Sequence, residues 1–260
     1  CFTSDRSVWS KMNTIVLGAT RGMGRALARQ MAARGDKLFL LGRDENQLLR
    51  TGEDLAARGH KGLPGSARCD LADSSTIAPA LAAAATHFAA LGGGVDCVVV
   101  TAGLFAQQAD LEADLALTER LLDVNFTGTV VFCEHARPLL LADGGGTLCV
   151  FSSVAGDRGR KPVALYGASK AGLSYYLEAM DHTYRSQGMK TVCVKPGFVK
   201  TGMTAGLKPP PFAGEPEPVA KRVLAAIERG APVVYAPAMW QLVMLVIRSL
   251  PRFIMRRIGF

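Results

Sequence analysis

The 260-residue chain is long enough to bury one large α/β core, and its 49% hydrophobic and 20% charged residues exclude a disordered protein. A formal charge of +8 would suit nucleic acid, but no zinc-ligand spacing, RNA-recognition aromatic signature or long basic run accompanies it, so nucleic-acid binding is not expected. The positive excess points instead to a phosphorylated ligand or an anionic membrane.

Cys97, Cys149 and Cys193 lie in apolar, strand-like runs, and with Cys1, Cys69 and Cys133 they read as small hydrophobes of a reducing compartment rather than disulfides. The four histidines show no ligand spacing, so no metal is expected. Residues 1–11 hold no apolar stretch of the kind a secretory signal needs, which predicts a cytoplasmic protein. Residues 1–12 are read as an N-terminal extension, 13–238 as one domain and 239–260 as a basic, apolar tail.

Asn13 to Gly18 predicts a short buried strand, and Gly18-Ala19-Thr20-Arg21-Gly22-Met23-Gly24 opens from it into a helix carrying Ala26, Leu27 and Met31 on one face. Strand, glycine-rich turn and helix together make a phosphate site. Gly18 allows the tight turn, Gly22 lets backbone approach a pyrophosphate, and Gly24 lets helix pack on strand, with the helix N-terminus supplying unpaired N–H groups. A second strand, Lys37 to Gly42, ends in Gly42-Arg43-Asp44, where an NAD site would put an acid on the ribose hydroxyls. Arg43 stands there instead. With Arg21 it could bracket a 2′-phosphate, which favours NADP(H) over NAD(H). The other reading makes Arg43 a surface residue and Asp44 the ribose ligand.

A helix over 44–59, a strand ending at Cys69-Asp70-Leu71 and an alanine-rich helix over 73–90 follow. Val95 to Val100 predicts a fully buried strand whose carboxyl end is Thr101-Ala102-Gly103, the end at which open parallel sheets bind ligands. One or two helices occupy 111–141, and Asn125 within the apolar run Leu121 to Phe126 needs buried partners. A strand over 147–152 runs into Ser153. Residues 163–187 are periodic as a helix, so Tyr166 and Lys170, four apart, share a face, and a cation about 4–6 Å from the phenol would make it acidic enough to donate near neutral pH. Such a pair also arises by chance on solvated helices. Thr191 to Lys195 predicts another strand, ending in Pro196-Gly197-Phe198-Val199-Lys200-Thr201, and the proline- and glycine-rich stretch 202–218 suits a mobile flap. A helix over 219–229 and a strand over 233–235 complete an alternation that implies one parallel sheet with helices on both faces.

Assembled in this order and near these spacings, the residues resemble the short-chain dehydrogenase/reductase family over the whole chain from residue 13. The resemblance implies a single doubly wound Rossmann sheet of about seven strands and NAD(P)-dependent chemistry at a carbinol. It also implies that Tyr166 is the proton donor, Lys170 its pKa-lowering partner and ribose ligand, Ser153 the group orienting the carbonyl, and Asn125 the anchor of a water-linked proton path. Beyond the glycine turn, the cofactor would meet Asp70 and Leu71 at the adenine, Ala102 and Gly103, and Pro196, Gly197, Val199 and Thr201 at the carboxamide. Homodimers or homotetramers are common in that family. Leu17 and Thr101 depart from it, where threonine and asparagine are usual.

The tail 239–260 carries four arginines and no acid, and Arg248, Pro251 and Arg252 interrupt it too early for a span of about 20 residues. It reads either as an amphipathic helix lying on the inner face of a membrane or as an ordinary last helix that closes the pocket or forms a subunit contact. The tail, the stretch 152–160 and the stretch 195–208 resemble decaprenylphosphoryl-2-keto-ribose reductases, which implies a polyprenyl-phosphate-linked keto-sugar as substrate. A 3-ketoacyl or 3-ketosphingoid lipid reductase is the alternative within the class. A non-catalytic NADP(H)-binding regulatory protein is the alternative outside it.

Overall fold

The computed structural model describes residues 11–142 and 144–258. Most of the N-terminal extension and Cys1 lie outside these residues. Seven strands, β1 (Asn13–Leu17), β2 (Lys37–Gly42), β3 (Gly65–Arg68), β4 (Cys97–Val100), β5 (Thr147–Phe151), β6 (Lys190–Pro196) and β7 (Val233–Ala236), pair in parallel in the order β3-β2-β1-β4-β5-β6-β7. Alternate side chains build two cores, because each strand is covered on both faces. Ile15, Leu17, Val98, Val100, Leu148 and Val150 point to one side with Phe88, Phe132 and Leu177, from α3 (Ile77–Ala90), α6 (Gly128–Leu141) and α7 (Ala164–Tyr184). Val16, Leu40, Val99, Cys149 and Val194 point to the other with Leu27, Leu55 and Val223, from α1 (Gly22–Arg34), α2 (Glu45–Ala57) and α8 (Pro216–Arg229). The expected doubly wound sheet is therefore present, and Cys69, Cys97, Cys133, Cys149 and Cys193 are buried and unpaired.

The order places the topological switch between β1 and β4, whose adjacent carboxyl ends open a crevice. Several boundaries differ from expectation for local reasons. The third strand stops at Arg68, short of Asp70, whose backbone N–H turns to the hydroxyl of Thr76. The 219–229 helix starts at Pro216, since proline costs nothing in a first turn where no N–H partner exists. Residues 111–141 contain more breaks than expected. Here α4 (Gln108–Ala113) and α5 (Leu115–Leu122) are separated by Asp114, which caps α5 by accepting from the N–H of Leu117, and a π-helical turn spans Asp123–Thr127 before α6.

The tail forms α9 (Met239–Ser249) and a short α10 (Arg252–Met255). Trp240, Val243, Met244 and Ile247 fall on one face of α9 and pack against Val154 and Tyr235, as a final helix beside the site would. No helix of the described residues is long and apolar enough to cross a membrane.

Candidate active site

At the switch point β1 leads into Gly18, whose φ of 98° and close neighbours both demand glycine. A β-carbon there would lie 2.6 Å from Thr101 Oγ1, and one on Gly24 would lie 2.2 Å from the Gly18 carbonyl. Thr101, one of the two departures from the family pattern, holds this turn itself: its hydroxyl is 3.0 Å from the Gly18 carbonyl and 3.2 Å from that of Leu17. Leu17, the other, is a buried core residue.

The crevice measures about 460 Å³ and is walled by the glycine turn from Gly18 through Thr20, Arg21, Gly22 and Met23 to Gly24, by Arg43, by Asp70 and Leu71, by Ala102 and Gly103, and by Thr201. Its size lies within the range of small-molecule sites. The residues fit a dinucleotide: the first turn of α1, Gly22 to Gly24, lines the crevice with N–H groups that no side chain caps, and side chains at Gly18 and Gly24 would break the turn that holds them there. Arg21 donates to Gln47 Oε1 at 3.2 Å, and Gln47 donates in turn to the Asp44 carboxylate at 2.8 Å. Asp44 is the N-cap of α2 and accepts from the Gln47 backbone as well; that backbone bond first, then the Gln47 amide, holds its carboxyl below the usual range. Its capacity is thus largely used by the helix end.

Of the expected cofactor contacts, Tyr166, Lys170, Pro196, Gly197 and Val199 are not in the crevice wall. The Val199 side chain is in the core, and a β-carbon on Gly197 would collide with the Trp240 ring. The glycine's vacancy therefore serves α9 rather than a ligand. Conversely, Gln47, Phe105 and Arg120 line the crevice and were not anticipated. Gln47 could have been found, since it stands one helical turn after Arg43; nothing in the sequence marks Phe105 or Arg120.

Beyond Gly103 the four chemically distinctive residues converge. Asn125 sits in the π-helical turn and is fully buried; its amide clasps the backbone of Leu104, accepting at 2.7 Å and donating at 2.7 Å. Single π turns in helices recur at functional sites. A β-carbon on Gly103 would stand 3.2 Å from Asn125 Oδ1 and 3.6 Å from Lys170 Nζ, so this glycine is the gap between them. Lys170 is 4% exposed and donates to the Phe151 carbonyl at 3.0 Å, which fixes α7 to the end of β5. Ser152, bonded to the Lys170 carbonyl at 2.9 Å, does the same. Phe105 stacks edge-on against the Tyr166 ring, centroids 5.1 Å apart.

The electrostatics correct one expectation. Lys170 Nζ lies 6.0 Å from the centre of the Tyr166 ring and is turned to the Phe151 carbonyl. Burial raises the phenol's pKa, with the Ser153 hydroxyl working the other way, so the tyrosine is not acidified here. The same burial pushes the ammonium down to about 8.

The loop after Ser153 is held from below. Asp157 accepts from Lys195 at 2.6 Å and from the Tyr235 hydroxyl at 2.7 Å, tying the loop to β6 and β7. Arg158 donates to the Leu250 carbonyl at 2.8 Å and Lys161 to that of Arg256 at 2.6 Å, tying it to the tail.

The profile of the short chain dehydrogenase family matches residues 12–211. An uncharacterized oxidoreductase of Mycobacterium tuberculosis is 30% identical over 243 residues, covering 94% of this chain and 95% of that protein. A cis-4-hydroxycyclohexanecarboxylate dehydrogenase of Sinomonas cyclohexanicum is 31% identical over 198 residues, 74% of this chain and 75% of its own. Among solved structures, a short chain dehydrogenase/reductase family protein superposes with a TM-score of 0.70 at 26% identity, covering 85% of this chain and 94% of that one.

Proposed function

Since the chain belongs to the short-chain dehydrogenase family and is an NAD(P)-dependent oxidoreductase acting on CH–OH groups, we propose that it reduces a ketone to a secondary alcohol with NADPH. The observation that carries this reading is the meeting of Asn125, Ser153, Tyr166 and Lys170 behind Gly103, a wall residue of the crevice. The nicotinamide, when bound, supplies hydride. Ser153 and Tyr166 donate to the carbonyl oxygen where negative charge grows, and Tyr166 passes its proton to that oxygen. A phenol whose pKa is raised stays protonated throughout the neutral range, which suits a donor. Lys170 carries positive charge behind the phenol below about pH 8, and Asn125 holds the loop that begins at Leu104.

Preference for NADP(H) is favoured by Arg21 and Arg43 in the crevice wall and by the commitment of Asp44 to the α2 cap. For the substrate we favour a ring ketone on a lipid-linked phosphate, a keto-sugar carried by a polyprenyl chain. Three features support it: the resemblance of 152–160, 195–208 and the tail to reductases of that class, the apolar α9 beside Val154, and a relative named as the dehydrogenase of a hydroxylated cyclohexane ring. A homodimer or homotetramer is the expected assembly.

The test is NADPH oxidation with a panel of soluble and lipid-linked ketones, using wild type and Tyr166→Phe. Consumption by the wild type alone, with equal NADPH affinity in both proteins, is expected. Equal turnover in Tyr166→Phe would remove the assignment.

A further inference from the structure

We propose that the outer face of α9, continued by α10, is a docking surface for an anionic lipid bilayer. The inner face of α9 is already occupied, since Trp240, Val243, Met244 and Ile247 pack on Val154 and Tyr235. The opposite face is apolar too: Leu242 is 60% exposed, Leu245 63%, Val246 61% and, on α10, Phe253 59%. Only Gln241, Arg248 and Ser249 interrupt the apolar side chains of α9, and a contiguous exposed apolar patch of this kind marks an interaction surface. At 11 residues it is about 16 Å long, roughly half a hydrocarbon core, so it can lie in an interface but not cross one.

Charge selects the occupant. Arg252, Arg256 and Arg257 are exposed on the segment that continues this face, while Arg248 lies near the Tyr235 hydroxyl, and no acidic residue follows Glu228 in the sequence. A second copy packing tail to tail through a twofold axis would set these arginines against one another, and the tail holds no carboxylate to pair them. A bilayer with anionic headgroups satisfies both halves of the surface, taking the leucines and phenylalanine into the acyl boundary and the guanidinium groups at the phosphates. The surface is also fixed to the catalytic end of the fold. Trp240 donates to the Phe212 carbonyl at 3.1 Å and fills the space over Gly197, while Arg158 and Lys161 bond the tail to the loop that begins at Ser153. Docking therefore holds that loop beside the lipid. This last point rests on the reading of a lipid-linked ketone; the docking itself does not.

The experiment is flotation of the full chain with vesicles of pure phosphatidylcholine or of phosphatidylcholine with phosphatidylglycerol, at low and high salt. Binding to the anionic vesicles at least tenfold tighter than to the neutral ones, and weakened by salt, is expected. Replacing Leu242, Leu245 and Val246 together by glutamine should lower it tenfold or more. Arg252→Gln with Arg256→Gln should lower it by roughly 25-fold, about fivefold per arginine, and serves alone if the triple variant does not fold. Failure to bind anionic vesicles, equal binding to both kinds, or a triple variant that dissociates into monomers with vesicle binding intact overturns the proposal. NADPH turnover on a soluble ketone, measured in the same samples, should be equal in all variants. Absence of turnover with every soluble and lipid-linked ketone of the panel would sink the reductase reading and leave the vesicle result standing.

Discussion

A β-carbon on Gly197 would lie 2.2 Å from the indole of Trp240, so the glycine at the end of β6 is the seat on which the C-terminal helix rests. Gly197→Ala should therefore act as overpacking, lowering stability by about 1–3 kcal/mol as α9 shifts. Urea unfolding of Gly197→Ala, alone and combined with Trp240→Ala, checks this: the second change should restore part of what the first removes. Additive losses would show that the glycine has some other role.

Lys170 should make stability depend on pH in the alkaline range. Its folded pKa, about 8, is below the ordinary 10.5, so between these values the unfolded chain binds more protons and stability rises with pH. Below about pH 8 the full cost of burying the ammonium is present, on the order of 3 kcal/mol; above 10.5 it is gone. Unfolding free energies of wild type and Lys170→Met compared from pH 7.5 to 9.5 should converge as pH rises. Parallel curves would contradict the buried charge.

The raised pKa of Tyr166 sets the pH profile of the two directions. Ketone reduction needs the protonated phenol and should be flat through neutrality, whereas alcohol oxidation needs the phenolate and should climb with pH beyond the range of an ordinary tyrosine. Tyr166→Phe should reduce both by orders of magnitude. Steady-state rates in each direction against pH are the measurement, and an oxidation rate that levels off near neutrality would contradict the assignment.

Cofactor choice should depend on Arg21 and Arg43. Replacing either by alanine removes one charge-assisted contact, worth about 1.5–3 kcal/mol, and should raise the KM for NADPH roughly 10- to 100-fold with that for NADH little changed. Asp44→Ala should lower stability by about 0.5–2 kcal/mol through the lost cap, with no effect specific to NADH. If Asp44 were the ribose ligand instead, its loss would fall on NADH.

What could be read before any coordinates was what repeats or punctuates. The glycine turn, the all-apolar run of β4 and the Tyr166–Lys170 spacing each follow a rule of local geometry, and each formed the element expected. The misses arise where tertiary context decides. Asn125 was seen to need partners, but the π turn that aims its amide at Leu104 depends on a one-residue offset between α5 and α6 that periodicity does not record. The spacing puts Tyr166 and Lys170 on one face, yet the direction of the phenol's shift is set by burial, and the Phe151 carbonyl that holds the ammonium lies 19 residues from it in sequence. Gly197 was read through its neighbours in a motif, and its real occupant comes from a helix more than forty residues later.

The bonds from Arg158 to Leu250 and from Lys161 to Arg256 run from side chains near the reacting centre to main-chain oxygens of the last segment. Because the acceptors are carbonyls, substitution of either tail residue would leave them in place, and only severing the polypeptide removes them. A protease cutting after Arg248 would leave Asp157 as the remaining anchor of that loop. Slower turnover with every catalytic group intact is the expected result of such a cut.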